Sequence, residues 1–437
     1  MTVVDATAAA APAGPAVPAV PAMATPAVAA ARFIGDRKAY WRLLVRGAAL
    51  LAVTLGIYRF WFATDVRRFL WAHTEIGGET LEYNGTPYEL LIGFLIAVAV
   101  LIPLNVLLFV PALSLPFGEL AGLLAFPLFA FLGQFAIYRA RRYRLTRTIY
   151  RGVRCHQAGS ALRYAICATF WWTLIIVTLG LAYPFAQASL ERFKMRNTYY
   201  GDLGASFAGS GLRLFLRGFV MWLVVMGPLV GALGFAVSAV DWDEFVSAAA
   251  GASDAGSFIN QLESAFPGSY PAAVASITAV TASVVLAAVL FPVFQTMMMR
   301  WWLSGLRFGP LAVRSRLRIR DIYGAYLRFV LYGFLFSIVA GILGAIGLAV
   351  FGGFALTIMN SDTAEIVGAV GAVASYVVVM LGFSTIYQGT VRLALWQRTV
   401  ETAEIDGLAV LDGVKAEGEA SSAVGEGLAD ALNVGGI

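Results

Sequence analysis

Long apolar runs with few charges are the feature that most limits how this 437-residue chain can fold. A helix needs about 20 apolar residues to cross the hydrocarbon core of a bilayer. Eight such runs occur, at about 43–63, 88–110, 118–138, 161–186, 212–240, 272–296, 326–358 and 366–391. Only 13% of the residues are charged and 59% are hydrophobic, which excludes a soluble enzyme. We predict the fold class as all-α, a polytopic helical membrane protein with six to eight apolar helices.

Clusters of basic residues follow several of the runs and indicate which way the helices point. They comprise Arg67 and Arg68, and then groups of residues at 139–154, 192–196 and 300–320. Residues 241–271 contain five acidic side chains and neither Lys nor Arg. Because cytoplasmic loops carry an excess of Lys and Arg, we expect the basic connections in the cytoplasm and 241–271 outside.

The run at 161–186 has basic loops at both ends, so a single crossing does not fit it. It contains Thr178-Leu179-Gly180 followed by Pro184, where glycine weakens a helix and proline cannot continue one. The run at 43–63 contains the matching Thr54-Leu55-Gly56. If both segments are re-entrant or interfacial hairpins, six helices cross and both termini are cytoplasmic. Eight true crossings remain the alternative.

These two segments begin a longer similarity between parts of the chain that lie 124 residues apart. The first copy contains Thr54, Gly56, Arg68, Thr74, Gly77, Tyr83 and Gly85, and the second contains Thr178, Gly180, Arg192, Thr198, Gly201, Phe207 and Gly209. The pattern indicates a tandem internal repeat. Polar and apolar residues alternate from Thr74 to Tyr83 around Gly77-Gly78, which predicts a small β-hairpin at the cytoplasmic surface.

Composition and the repeat divide the chain into five parts. We expect a disordered Ala/Pro-rich leader at 1–32, membrane repeat 1 at 33–159, membrane repeat 2 at 160–324, a C-terminal helix pair at 325–400, and an acidic, mostly disordered cytoplasmic tail at 401–437.

Polar side chains within the apolar helices are candidates for function because they are costly in a bilayer. The candidate positions are Gln134, Gln187, Gln295, Gln388 and Asn105. The glutamines could line a polar path near the inner face, but hydrogen bonding between helices is the favoured interpretation.

No group of residues predicts catalysis, a metal site or a cofactor. His73 and His156, the two histidines, lack the spacing that assembles a metal site, and the two cysteines are too few for a disulfide framework. We therefore predict that the protein is not an enzyme. The excess of basic residues predicts membrane lipids as partners, through anionic headgroups at the cytoplasmic face, and no nucleic acid; the sequence identifies no protein partner.

A likeness to a known family is carried by the segment from Thr54 to Phe94. Its residues Thr54-Leu55-Gly56-Ile57-Tyr58, Val66-Arg67-Arg68-Phe69, His73-Thr74 and Tyr83-Asn84-Gly85-Thr86 resemble the YjgN family of bacterial inner-membrane proteins, which is defined by a domain of unknown function. The likeness is specific over about 33–120. It implies a multi-pass protein of the inner membrane and supplies no substrate, cofactor or catalytic residue.

The function predicted from these observations is that of a non-enzymatic, integral membrane component that acts in assembly or in lipid contact. The alternative is a transporter or channel that passes a neutral or lipid-like solute through the repeat interface. An apolar interior would favour the first.

Overall fold

The computed structural model describes residues 29–114, 118–239, 242–251, 257, 269–352 and 361–434. Pairs of helices alternate with short strands along the chain. The first half contains β1 (Ala29–Phe33), α1 (Arg37–Val53), α2 (Arg59–Ala72), β2 (Thr74–Ile76), β3 (Glu79–Thr80), β4 (Glu82–Tyr83), α3 (Pro87–Ser114), α4 (Gly118–Thr146), β5 (Thr148–Tyr150), β6 (Val153–Gln157), α5 (Ala161–Val177), α6 (Tyr183–Arg196), β7 (Thr198–Tyr200) and β8 (Leu203–Phe207).

The second half repeats this alternation with longer helices. It contains α7 (Gly211–Ala239), α8 (Trp242–Gly251), α9 (Ser269–Gly305), β9 (Leu306–Phe308), β10 (Leu311–Ser315), α10 (Ile319–Gly347), α11 (Ser361–Tyr387), α12 (Leu393–Glu401), β11 (Ala403–Asp406) and α13 (Val424–Ala431). Two π-helical segments extend α10 and join α11 to α12, at Leu348–Gly352 and Gln388–Arg392. A 3₁₀-helix, Leu408–Gly413, follows β11.

The strands form one antiparallel sheet of 11 strands in the order β3-β2-β1-β11-β10-β9-β8-β7-β6-β5-β4. The two outermost strands, β3 and β4, are separated in the chain only by Leu81, so the sheet is nearly closed. The prediction of a purely all-α fold with separate small hairpins is therefore wrong in this respect. Hairpins this short are marginal alone and expose unpaired edges, and both problems disappear when neighbouring hairpins pair.

One face of the sheet is buried and the other is polar. In β8, Ala205 and Phe207 are buried whereas Gly204 and Ser206 are exposed, as the two-residue period of a strand requires. The buried face packs on the ends of the helices, including Trp301 of α9. Leu408 of the 3₁₀-helix packs against the same cluster. The sheet therefore holds the sheet-side ends of the helices in one layer.

Each pair of helices begins and ends at this single sheet. The run predicted at 161–186 is split between α5 and α6, which contact each other, and no single helix covers it. The run at 43–63 is split in the same way between α1 and α2. In both cases the chain turns back at the Thr-Leu-Gly triplet and returns to the sheet.

Five helical segments among the described residues are long and apolar enough to cross a membrane. They are Pro87–Leu108, Gly211–Phe235, Val274–Gly305, Ile319–Val350 and Asp362–Glu401. The predicted run at 118–138 is helical within α4 but is not among the five. Most of the predicted external loop at 241–271 lies outside the described residues.

The two ends of the described chain are built into the fold. Residues 29–32, which we assigned to the disordered leader, lie in β1 and pair with β2 and β11, while 1–28 lie outside the described residues. The acidic tail is largely ordered, contrary to our expectation, because β11 joins the sheet and α13 packs against α3 and α4. Several of its acidic residues form ion pairs with arginines, including Glu404, Asp406 and Glu426, which a count of charges alone does not reveal.

Candidate functional site

An apolar cavity of about 430 Å³ opens between the described helices. It lies between the turn that joins α5 to α6, the first half of α7, and the middle of α9. Its lining comes from residues such as Leu179 and Pro184 at the turn, Phe215 and Trp222 on α7, and Met297 on α9. The cavity is only partly enclosed, and it adjoins the outer face of α7, where Leu216 is 65% exposed. In a bilayer such a face meets lipid.

The side chains with N–H or O–H groups in the cavity lining, Trp222 and Tyr183, are aromatic and present mostly apolar surface. The indole Nε1 of Trp222 donates a hydrogen bond of 2.7 Å to the carbonyl oxygen of Leu179. This bond joins α7 to the turn between α5 and α6 and leaves the indole ring as part of the cavity wall. Charged and amide side chains are not among the residues that line the cavity. The space therefore suits a hydrocarbon chain better than a polar solute.

The predicted amide positions are distributed over several helices and lie apart from the cavity lining. Gln295 of α9 accepts a hydrogen bond of 3.0 Å from the Tyr326 hydroxyl of α10, and buried Gln388 donates one of 3.4 Å to Ser384. Gln134 and Gln187 are half-buried on α4 and α6. Asn105 is exposed and donates to the Leu101 carbonyl of its own helix. Among the described hydrogen bonds, Gln295 and Gln388 bond to Tyr326 and Ser384 and not to another glutamine, and the predicted ring of amides stays a prediction.

The two Thr-Leu-Gly turns have the same hydrogen bonds. Leu55 and Leu179 have φ angles of 49° and 50°, and the following glycines, Gly56 and Gly180, have 90° and 92°. The Thr178 hydroxyl donates to the Leu174 carbonyl at 2.7 Å and accepts from the Ala182 amide at 3.1 Å. Thr54 makes the same pair of bonds, with Leu50 and Tyr58.

The remaining repeat residues fix each hairpin to the helix before it. Arg68 donates to the Gly85 carbonyl and Arg192 donates to the Gly209 carbonyl, each at 2.9 Å. Thr74 and Thr198 bond their hydroxyls to the preceding helix turn, and Gly77 and Gly201 take positive φ in the hairpin turn. The rings of Tyr83 and Phe207 lie where a side chain at Gly85 or Gly209 would project. Arg142 makes the equivalent bond to Gly159 in the hairpin between them.

The sequence reasoning missed the cavity because its lining is assembled from three separate segments of the chain. A usable signal was present in the cluster of methionines and aromatic residues on α7 and α9, since methionine is enriched where a surface adapts to varied apolar partners. Among the described residues, no three His, Cys, Asp or Glu side chains lie together as metal ligands would.

Comparison with known proteins gives one match. A family model described as a bacterial protein of unknown function, DUF898, matches residues 29–431. No curated protein and no solved structure matches the chain. The match begins at β1 and ends with α13, so it includes both the first strand of the sheet and the helix of the acidic tail.

Proposed function

Because the chain belongs to the DUF898 family of bacterial proteins, which is the YjgN family indicated by its sequence, we propose that it is a non-enzymatic lipid-binding component of the inner membrane. The site of lipid contact is the apolar cavity between α5, α6, α7 and α9. One acyl chain of a membrane lipid enters the cavity from the outer face of α7.

The apolar lining of the cavity is the observation that carries this proposal. Its volume of about 430 Å³ lies within the usual range of small-molecule pockets. Polar solutes need hydrogen-bonding groups on the wall to replace the water they lose, and an acyl chain does not. The alternative is a transporter or channel, which needs a path for its solute at the interface between the two repeats. The cavity does not lie at that interface, because its lining comes entirely from the predicted second repeat.

The same proposal assigns the sheet and both chain ends to the cytoplasm. Basic residues lie near the C-terminal ends of α2, α4, α6 and α9, each of which leads into strands of the sheet, and such residues tend to lie on the cytoplasmic side of a membrane. Their arginines contact anionic headgroups at that face, and the described sheet forms the cytoplasmic layer. Tandem duplication of a unit of two helices and a hairpin accounts for the matching bonds of Arg68 and Arg192.

A cavity-filling substitution tests the lipid site. Gly218 of α7 lines the cavity, and a side chain there would project toward Met297, so Gly218→Phe fills the space. Purified protein is washed in mild detergent, and the phospholipid that remains bound is counted by native mass spectrometry. We expect the wild type to retain lipid and Gly218→Phe to retain about tenfold less, because burial of a few methylene groups is lost.

The matched control is Gly227→Phe on the same helix. A Cβ atom at Gly227 would have no heavy atom within 4 Å, and Gly227 is not among the residues that line the cavity. This variant is expected to retain lipid as the wild type does. Equal retention by wild type and Gly218→Phe, or no retention by the wild type, would show that the cavity does not hold an acyl chain.

A further inference from the structure

The acidic tail ends in α13, which is wedged between α3 and α4 close to the sheet. Glycines make this close approach possible. A Cβ atom at Gly427 would overlap the backbone of Gly93 on α3, and one at Gly425 would overlap the Cβ of Arg139 on α4. Ala429 of α13 is fully buried. The helix therefore fills a cleft between α3 and α4.

The residue between the two glycines, Glu426, points at two arginines. Its carboxylate forms an ion pair with Arg67 of α2 and lies 3.9 Å from Nε of Arg144 on α4. The Arg67 and Glu426 side chains are only 4% and 7% exposed. One turn later, Asp430 pairs with Arg59 at 2.6 Å. Two carboxylates of the tail thus face three arginines of the membrane part.

A carboxylate does not use all the donors of this cluster. Nε of Arg67 is buried and has no hydrogen-bond partner among the described residues. Oε2 of Glu426 lies 3.9 Å from Nε of Arg144, which is beyond hydrogen-bond distance, so the carboxylate is too small to bond both arginines. Burial also lowers the pKa of Arg144, with the charge of Glu426 opposing this effect. Buried ions that are incompletely paired are costly, so the cluster favours an anion that is larger and has more acceptor atoms than one carboxylate.

A phosphate group has these properties. Inorganic phosphate and phosphate monoesters carry more than one negative charge near neutral pH, and the phosphodiester of a lipid headgroup carries one charge on a group of four oxygens. Arginine forms paired hydrogen bonds to either kind of phosphate. The cleft also lies toward the sheet-side end of α3. Gly93 lies six residues after Pro87, where the apolar segment of α3 begins, which is about 9 Å along a helix.

The link between α13 and the sheet is exposed. Residues 415–420 are solvent-accessible. The Lys415 amide donates a hydrogen bond of 3.0 Å to Oδ1 of Asp202, and the Asp202 amide donates one of 3.1 Å to the Lys415 carbonyl. The 3₁₀-helix before the link packs against the sheet through Leu408 and Leu411, and this contact does not involve α13. The helix α13 can therefore leave the cleft while β11 and the 3₁₀-helix stay in place.

We propose that the cleft between α3 and α4 is a binding site for a phosphate group, and that Glu426 of the tail helix occupies it as an internal competitor. Ligand and tail exclude each other, so the site is available when α13 is released. The phosphate comes from an anionic phospholipid headgroup or from a free phosphate ion. This site is separate from the apolar cavity, and the proposal does not depend on lipid binding there.

The test measures binding of soluble probes to the full chain in detergent. The probes are dihexanoyl phosphatidylglycerol, dihexanoyl phosphatidylcholine and inorganic phosphate, and affinities are measured by thermophoresis. Gly427→Leu unseats α13 by steric conflict with Gly93 and keeps every charge. Glu426→Gln keeps the helix and weakens the competitor. We expect each variant to bind a phosphate-bearing probe about tenfold more tightly than the wild type.

Controls separate this effect from a general change in charge or stability. Glu419→Gln removes one exposed carboxylate from the same tail and should bind as the wild type does. Adding Arg67→Gln to Gly427→Leu should abolish the gain. Preference for phosphatidylglycerol over inorganic phosphate identifies a headgroup as the source, and equal binding identifies the free ion.

The binding gain of either single variant is enough to support the site if the other fails to fold. Trypsin cleavage at Lys415 gives a second measurement on the wild type, because a ligand that displaces α13 should speed release of the tail. The proposal is overturned if folded variants bind no probe more tightly than the wild type, if the gain survives Arg67→Gln, or if saturating probe leaves cleavage unchanged.

Discussion

Leu55 and Leu179 hold backbone angles that residues other than glycine rarely adopt, and each does so at the tip of a helical hairpin. The strain is tolerated because the threonine before each leucine ties the ends of the two helices together. The exposed leucines, 94% and 51% accessible, then project from the tip. An apolar, projecting tip is suited to the interior of a bilayer, where water is absent.

The stability of each turn should therefore depend on the hydrogen bonds of the threonine hydroxyl more than on the volume of the side chain. Replacing Thr178 by valine keeps the shape but leaves the Ala182 amide without its acceptor. We expect Thr178→Val to lower the free energy of unfolding by about 1–3 kcal/mol. Thermal unfolding in detergent measures the effect.

Thr173 provides the control on the same helix, because its hydroxyl only donates to Thr169 and the residue is exposed. Thr173→Val should change the unfolding temperature little. Equal losses in the two variants would contradict the role given to the turn.

At the scale of elements, the positions of the long helices and of the two turns could be predicted from the sequence. The apolar runs predict where the helices lie, and Gly56 and Gly180 predict where the chain turns. The sheet could not be predicted, because its strands are two to five residues long and carry little pattern. Their partners, such as β1 and β11, are also far apart in the chain. Only the assembled helices bring them within bonding distance.

The bonds from Arg68 and Arg192 to the carbonyls of Gly85 and Gly209 should control how firmly each hairpin is held. Arg192→Gln is expected to speed amide hydrogen exchange in β7 and β8 by about five- to tenfold, as loss of one charged hydrogen bond predicts. The exchange of β2 to β4 should not change, because that hairpin has its own arginine.

Arg196→Gln is the comparison for this experiment, since Arg196 is exposed on the same helix. It should leave exchange in β7 and β8 unchanged. If both variants speed exchange equally, the effect is one of charge and not of the bond to Gly209.

At the scale of the whole molecule, segments that were expected to be disordered are part of the packed structure. They are β1, at the end of the predicted leader, and β11 and α13, in the predicted tail. The tail was assigned from its acidic composition, which is typical of disorder. Composition could not show that Gly425 and Gly427 permit close packing, or that Glu426 meets Arg67. The apolar cavity was hidden for a related reason, since its wall is formed only when α7 and α9 meet the turn between α5 and α6.

Two truncations should separate the roles of the tail. Removal of 402–437 deletes β11 and leaves the edges of β1 and β10 unpaired, so we expect aggregation on size-exclusion chromatography. Removal of 414–437 keeps β11 and the 3₁₀-helix and should give a monodisperse protein. The role of β11 would be refuted if the two truncated proteins eluted alike.

The pairing of β1 with β11 also bears on how the protein is made. Strand β11 leaves the ribosome only after nearly all the helices have been synthesised. Until then, the edge of β1 that pairs with β11 has no partner strand. A chain that stalls late is left with an open seam, which quality-control proteases can recognise even when every helix is already in place.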